Sequence, residues 1–146
     1  MKIAIVYASH HRGNTRKLVR GISESIDILC IDAEQQHRAD LSGFDLIGFA
    51  SGIDFGKFYD AVETFLKENL PPDKSIFFLY PCARTSSRFT KTVRESALQK
   101  DATIVGEYGC RGYNTYGPWK VIGGMNKMHP TDAEIREAIA FLKSIL

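Results

Sequence analysis

The sequence lacks any long hydrophobic segment. Its longest apolar runs, residues 3–8 and 76–80, are far shorter than the ~20 residues that a helix needs to cross a bilayer. The start of the chain passes from Met1 and Lys2 straight into a strand-like run and a polar loop, without the apolar stretch and cleavage site of a secretory signal. We therefore expect a cytoplasmic protein that does not span a membrane.

The sequence also has few cysteines and only a small excess of positive over negative charge. The three cysteines, Cys30, Cys82 and Cys110, are widely spaced and form no Cys-x-x-Cys pair, so reduced thiols are expected. Adjacent His10 and His11 have no third ligand at a useful spacing, and no metal is predicted. The net charge is only +2, and no basic run could follow a phosphate backbone, so nucleic acid is not an expected partner.

The apolar residues that are present indicate an α/β fold. A chain of 146 residues fits one domain, residues 1–146. Its strand-like segments are nearly continuous in apolar character, which is typical of parallel strands buried on both faces. These segments are residues 2–8, 27–32, 45–51, 75–80 and 103–110.

Helical spacing of apolar residues separates most of these strands. Leu18, Val19, Ile22 and Ile26 form the first such pattern, and others cover residues 58–66, 89–97 and 131–146. The last pattern begins with a capping-box pair, Thr131 and Glu134. The link over residues 33–44 is short and polar, so its helix should be reduced to about a turn. This alternation predicts a doubly wound, five-stranded parallel sheet with helices on both faces.

Ligands of such sheets bind beyond the carboxyl ends of the strands, where the strand order reverses. The loop after the first strand offers hydroxyls, a glycine and helix-terminal amides, which together suit a phosphate monoester. It lacks both the P-loop and the dinucleotide-binding patterns. A polar loop that merely caps the helix explains the same residues, which are Ser9, His10, Arg12, Gly13, Asn14 and Thr15.

At this point a family resemblance appears. Ser-His-His-Arg-Gly-Asn-Thr after an N-terminal strand resembles the flavodoxin phosphate loop. Residues 50–59 look like the flavodoxin segment that covers one face of the isoalloxazine ring. Residues 109–119, followed by Gly123 and Gly124, are similar to the tail of a bacterial and archaeal flavodoxin-like group. The resemblance covers nearly the whole chain and has the character of a short-chain flavodoxin.

This resemblance implies strand order 2-1-3-4-5, non-covalently bound FMN, electron exchange with redox partner proteins, and no catalytic side chain. The first loop would bind the phosphate, and two later loops would flank the ring. Of the candidate aromatic contacts of the ring, Phe55 is the one expected there, whereas Phe58 is expected in the core. The other candidates are Tyr59, Tyr113, Tyr116 and Trp119. The implied FMN-binding residues are Ser9, His10, Arg12, Gly13, Asn14, Thr15, Ser51, Gly52, Ile53, Asp54, Phe55, Gly56, Pro81, Cys82, Ala83 and Arg84.

Two other functions stay open at this stage. The second loop also resembles that of flavodoxin-like porphyrinogen dehydrogenases, which would make the chain an FMN-dependent oxidoreductase with its own organic substrate. Cys82 and Arg88 have the spacing of cysteine phosphatases, although the intervening residues lack the expected glycine. The third loop carries Arg84 and Arg88 and no carboxylate, so we expect a less negative potential for the second electron than in an acidic flavodoxin.

Overall fold

The computed structural model describes residues 1–10, 13–81, 86–110 and 130–146. A short 3₁₀ turn, Ser87–Thr90, precedes the third helix. In these ranges the strands are β1 Ile3–Ala8, β2 Leu29–Asp32, β3 Leu46–Ser51, β4 Ile53–Asp54, β5 Lys57–Phe58, β6 Ser75–Pro81 and β7 Thr103–Cys110. The α-helices are α1 Asn14–Ser23, α2 Asp60–Asn69, α3 Lys91–Leu98 and α4 Asp132–Ile145.

Five parallel strands form the central sheet in the order β2-β1-β3-β6-β7. Counted along the chain within this sheet, the order is 2-1-3-4-5, which confirms the predicted topology. All six residues of β3 are buried, because helices cover both faces of the sheet. The order reverses between β1 and β3, and the carboxyl ends of these two strands therefore define the expected ligand site.

Two apolar layers hold the helices to the sheet. On one face, Leu18 and Ile22 of α1 and Leu142 of α4 pack with Ile5 and Phe77. On the other face, α2 and α3 pack through a second cluster that includes Val62, Phe65 and Val93. Val6 belongs to this second cluster, so successive side chains of β1 point to opposite layers, as the pleat of a strand requires.

The connection between β2 and β3 contains no helix, and all of its residues are described. The expectation of a reduced crossover is therefore confirmed. Asn69, the last residue of α2, ties this link down: its side-chain oxygen accepts from the Ala39 N–H at 3.1 Å, and its amide donates to the His37 carbonyl at 2.9 Å. Leu41, only 1% exposed, fills the space beneath the link.

Several element boundaries differ from the expectations. Helix α1 ends at Ser23, before Ile26, and β2 begins at Leu29 on the exposed edge of the sheet. The second loop contains a small antiparallel hairpin, β4–β5, that the apolar pattern did not indicate. The capping box of α4 is confirmed, with reciprocal bonds between Thr131 and Glu134 of 3.2 and 2.9 Å. No helix in the described ranges is long and apolar enough to cross a membrane.

Candidate functional site

The loop after β1 presents backbone N–H groups at the start of α1. Gly13 caps this helix in the left-handed conformation, with φ 71°, and its N–H donates to the His10 carbonyl at 3.2 Å. The Ser9 hydroxyl accepts from the N–H of Arg16 at 3.2 Å. The N–H groups of Asn14 and Thr15 have no acceptor within the helix, because the first turn lacks preceding carbonyls. The positive end of the helix dipole adds to their attraction for an anion.

Gly13 is not crowded by the described part of the chain. A Cβ placed on Gly13 would meet no atom of the described residues within 4 Å. The glycine is therefore required by its backbone angle, and its lack of a side chain leaves room for a ligand to approach the amides. Of the predicted phosphate-binding residues, Ser9, His10, Gly13, Asn14 and Thr15 are brought together here, and Arg12 lies outside the described residues.

Among the described residues, the ring of His10 contacts Glu34 and Tyr59, which belong to other loops. It stacks on Tyr59 with a centroid distance of 3.9 Å and an interplanar angle of 12°. Its Nε2 lies 2.8 Å from Oε1 of Glu34, which follows β2. Glu34 was not among the predicted site residues, and Tyr59 was named only as a candidate aromatic contact of the flavin ring. The rule that ligands bind at carboxyl ends of strands could have included Glu34, but it pointed first to the loops at the switch in strand order.

The hairpin after β3 carries backbone strain at its tip. Ile53 pairs with Phe58 and Asp54 with Lys57, so the turn consists of Phe55 and Gly56. Both have positive φ, 52° and 75°, as a two-residue hairpin turn of the I′ type requires. Glycine adopts this conformation readily, whereas for phenylalanine it is unfavourable. The Phe55 side chain is nevertheless 95% exposed, so packing against the protein does not offset the strain.

Ser51, the last residue of β3, and Gly52, which follows it, both lie against Tyr59 at the start of α2. The buried Ser51 hydroxyl donates to the Gly52 carbonyl at 2.6 Å and accepts from the Tyr59 N–H at 2.8 Å. A Cβ on Gly52 would collide with the phenol of Tyr59. The contacts of the Ser51 hydroxyl are thus with backbone groups, and Gly52 provides room for the Tyr59 ring.

Residues 4–119 match the model of the flavodoxin domain. The chain belongs to the flavodoxin family. An uncharacterized protein of Methanocaldococcus jannaschii is 36% identical over 150 residues, which cover 100% of this chain and 99% of that protein.

Solved structures of flavodoxins share the fold. A flavodoxin from the domain Archaea superposes with a TM-score of 0.62 at 19% identity and covers 98% of both chains. A flavoprotein from Lactobacillus acidophilus, solved in complex with FMN, gives a TM-score of 0.58 at 18% identity, over 74% of this chain and 92% of that chain. These likenesses confirm the predicted fold.

Charged groups surround the flavodoxin-type hairpin. A cavity of about 270 Å³ lies beside it, lined among others by His10, Glu34, Asp54 and Tyr59. Burial raises the pKa of the Tyr59 phenol, and the negative charges of Asp54 and Glu34 raise it further. Lys57 lies 3.1 Å from Asp60, and this partner raises the pKa of the lysine. In the described ranges, no group of three or more His, Cys, Asp or Glu side chains could hold a metal ion.

The loop after β6 is described only in part. Pro81 is the buried last residue of β6, and Cys82, Ala83 and Arg84 lie outside the described residues. Farther along, the Tyr80 hydroxyl bonds both the N–H and the carbonyl of Ser86, each at 3.2 Å. Arg88 is exposed in the 3₁₀ turn, and its N–H donates to the Ser86 hydroxyl. The position of Cys82 relative to Arg88, on which the phosphatase hypothesis depends, stays a prediction.

Aromatic residues separate into core and surface as the sequence suggested. Phe58 is 2% exposed and meets Phe78 edge to face at 5.8 Å, so it belongs to the core. Phe55, three residues earlier, is available to a ligand. Tyr113, Tyr116 and Trp119, also considered for the flavin ring, lie outside the described residues.

Proposed function

We propose that this flavodoxin-family protein binds FMN without a covalent bond and carries electrons between redox partner proteins. The observation that carries the proposal is the position of two features at one edge of the sheet. The amide-bearing start of α1 follows β1, and the strained hairpin with its exposed Phe55 follows β3. The strand order reverses between these two strands, which is where ligands of open parallel sheets bind.

The residues present suit the two ends of FMN. A phosphate would be held by the backbone at Gly13, Asn14 and Thr15 with the Ser9 hydroxyl, and the predicted Arg12 would add charge. The apolar face of the isoalloxazine would meet Phe55 and the backbone of residues 51–56, with residues 81–84 predicted on its other side. The FMN complex of the Lactobacillus acidophilus structure supports this choice of ligand.

FMN, when bound, supplies one- and two-electron chemistry, so no side chain need act as a catalytic acid. The protein's part is to hold the phosphate, exclude water from one face of the ring and set the local charge. Asp54 and Glu34 near the hairpin make that charge more negative, whereas Arg84 and Arg88 were predicted to make it more positive. The measured potential of the second electron will show which group dominates.

An absorption spectrum of the purified protein, reconstituted with FMN, is the first test. We expect flavin bands near ~375 and ~450 nm and release of free FMN on denaturation. Anaerobic titration with a one-electron reductant should then resolve two separate electron steps. Absence of binding with excess FMN would overturn the proposal.

A second candidate is an FMN-dependent oxidoreductase that acts on its own organic substrate, as porphyrinogen dehydrogenases do. The cavity of about 270 Å³ beside the hairpin favours it, because small-molecule sites are concave and carry a few convergent polar groups. Turnover of an organic substrate with a quinone or dye acceptor would separate this enzyme from a carrier. Hydrolysis of p-nitrophenyl phosphate, lost in Cys82→Ser, would be required for the phosphatase alternative.

Several expectations from the sequence stay predictions. These are a single domain over residues 1–146, a cytoplasmic location, and partners that are redox proteins rather than nucleic acids. Affinity capture with the FMN-loaded protein, compared with the FMN-free protein, tests the partner class: redox proteins should be retained by the loaded form.

A further inference from the structure

His10 connects three loops at the edge of the sheet that holds the proposed FMN site. The residue lies in the loop after β1, its Nε2 is 2.8 Å from Glu34 after β2, and its ring stacks on Tyr59 after the hairpin. The two contacts act on different parts of the ring. Glu34 meets its edge and Tyr59 its face, so the ring is restrained both in its plane and perpendicular to it.

The backbone of His10 is part of the anion-binding turn. Its carbonyl accepts the N–H of Gly13, and Gly13 in turn places the first amides of α1. The preceding residue, Ser9, accepts from the third N–H of the same helix. A fixed His10 side chain therefore restrains the backbone that would contact a phosphate. The link that carries Glu34 is itself held by Asn69 of α2.

We propose that His10 and Glu34 are positioning residues of the phosphate site: Glu34 accepts from the Nε2–H of His10, and Tyr59 supports the ring face. The backbone at His10 and Gly13 is thereby set for phosphate before FMN arrives. This inference rests on the proposed binding of FMN. It assigns to Glu34 a role that acts through His10 and not by contact with the flavin. A preset loop pays less ordering entropy when the ligand binds, which tightens binding.

The nature of the contact makes a specific substitution informative. Both side chains of the pair are more than one-third exposed, at 39% and 38%, so the ion pair alone adds little through its charge. The hydrogen bond gives the ring its direction. Glu34→Gln keeps an acceptor oxygen and removes the charge, whereas Glu34→Ala removes both. A positioning role predicts that glutamine preserves function and alanine does not.

Fluorescence titration with FMN and with riboflavin tests the proposal, because riboflavin has the same ring and no phosphate. Glu34→Ala should weaken FMN binding about threefold to fivefold and His10→Ala about tenfold. Glu34→Gln should stay within about twofold of the unmodified protein. Riboflavin affinity should change much less in each variant. Glu68→Ala, which removes an exposed carboxylate from α2, is the matched control and should bind FMN normally.

The double variant tests whether the two residues act together. Glu34→Ala in the His10→Ala background should cause no further loss of FMN affinity, since Glu34 acts through His10. Independent losses would overturn the proposal, as would equal losses in the Gln and Ala variants or equal losses for riboflavin and FMN. If the unmodified protein fails to bind FMN at all, the proposed function fails and not this inference alone.

A measurement on the FMN-free protein gives a second readout. Hydrogen exchange of the Gly13 amide should speed up in His10→Ala and Glu34→Ala and stay unchanged in Glu34→Gln and Glu68→Ala. Unchanged exchange in all four variants would show that the side chain of His10 does not fix the turn, and would overturn the proposal even if affinities differ.

Discussion

The parallel strands of the central sheet all begin at one side, here called the amino edge, and all end at the other, the carboxyl edge. The polar groups at these two edges have different contacts. At the amino edge, the ammonium of Lys74 donates to the carbonyls of Ser42 and Phe44 at 2.7 and 2.8 Å. The Lys2 N–H donates to the Asp45 carboxylate at 2.7 Å. At the carboxyl edge, the N–H groups of Asn14 and Thr15 have no acceptor within α1, and Phe55 is 95% exposed. One edge uses its polar groups to join the segments that precede the strands, and in the proposed function the other edge presents them to FMN.

Backbone strain is distributed in the same unequal way. At the amino edge, Asp73 and Asp101 adopt positive φ of 62° and 58° in the turns that lead to β6 and β7. Aspartate tolerates this conformation well, so these turns cost little. At the carboxyl edge, Phe55 adopts φ 52°, although phenylalanine has no such tolerance for this conformation. Strain that persists at one site and is avoided elsewhere is typical of a functional segment.

The largest expected effect is at Gly13, the glycine of the proposed phosphate-binding turn. Gly13→Val forces a β-branched residue into the left-handed region and places methyl groups where a phosphate would approach. We expect FMN affinity to fall by more than about tenfold, from roughly 1–2 kcal/mol of strain and the lost approach. Gly43→Ala, at the amino edge where a Cβ would only reach Lys2 at 4.0 Å, is the matched control. Titration with FMN by fluorescence compares the two, and equal affinities would contradict the assigned site.

The reverse experiment changes the amino edge. Lys74→Met removes the half-buried ammonium and leaves the carbonyls of Ser42 and Phe44 without this donor. The free energy of unfolding should therefore fall by about 1–2 kcal/mol. FMN affinity should not change, because these contacts lie at the opposite edge. Lys67→Met is the control, since Lys67 is exposed and 4.0 Å from Glu63. Urea unfolding measures the stability, and a loss of FMN affinity without a loss of stability would show that the edges are not separate.

Local pattern predicted the sheet well because its strands are continuous in apolar character. The buried β3 and the capping box at Thr131 needed only neighbouring residues to be recognised. The predicted start of β2 is two residues too early, because the apolar run extends before Leu29 whereas pairing with β1 begins only at Ala4 and Leu29. The flavodoxin resemblance, rather than spacing, supplied the strand order.

Residues of the candidate site could be proposed from the sequence where one loop carries the signal and not where several loops meet. Gly13 and Phe55 were proposed from their own loops, although the hairpin that holds Phe55 was not predicted. The contacts of His10 with Glu34 and Tyr59 bring together three segments that are distant in the sequence. No local sequence pattern encodes such an arrangement. The Ser51 hydroxyl contacts the backbone of Gly52 and Tyr59, and its predicted place at the cofactor stays a prediction.

Relief of the strain at the hairpin should stabilise the FMN-free protein at the cost of binding. Phe55→Asn suits the left-handed conformation, and Asn-Gly is a preferred pair for this turn. We expect the free energy of unfolding to rise by about 1 kcal/mol and the FMN affinity to fall. Asp73→Asn, at a positive φ that aspartate already tolerates, should change neither. A lower stability of Phe55→Asn in urea would mean that Phe55 is held by contacts that offset its strain.

The smallest expected effects are in the pH dependence of stability. A group near the amino edge lowers the stability toward acid pH, and a group at the carboxyl edge lowers it toward alkaline pH. The hydroxyl and N–H of Ser42 lower the pKa of the Asp40 carboxyl near the amino edge, so its stabilisation is present above the unfolded value of about 4 and is lost as pH falls through the folded pKa. Burial and nearby carboxylates raise the pKa of Tyr59 at the carboxyl edge, so stability is retained below about pH 10 and is lost as pH rises through the folded pKa. Asp40→Asn should flatten only the acid limb, and Tyr59→Phe only the alkaline limb, of unfolding free energies measured in urea across pH. A change of the alkaline limb in Asp40→Asn would show that the two edges are coupled through the sheet.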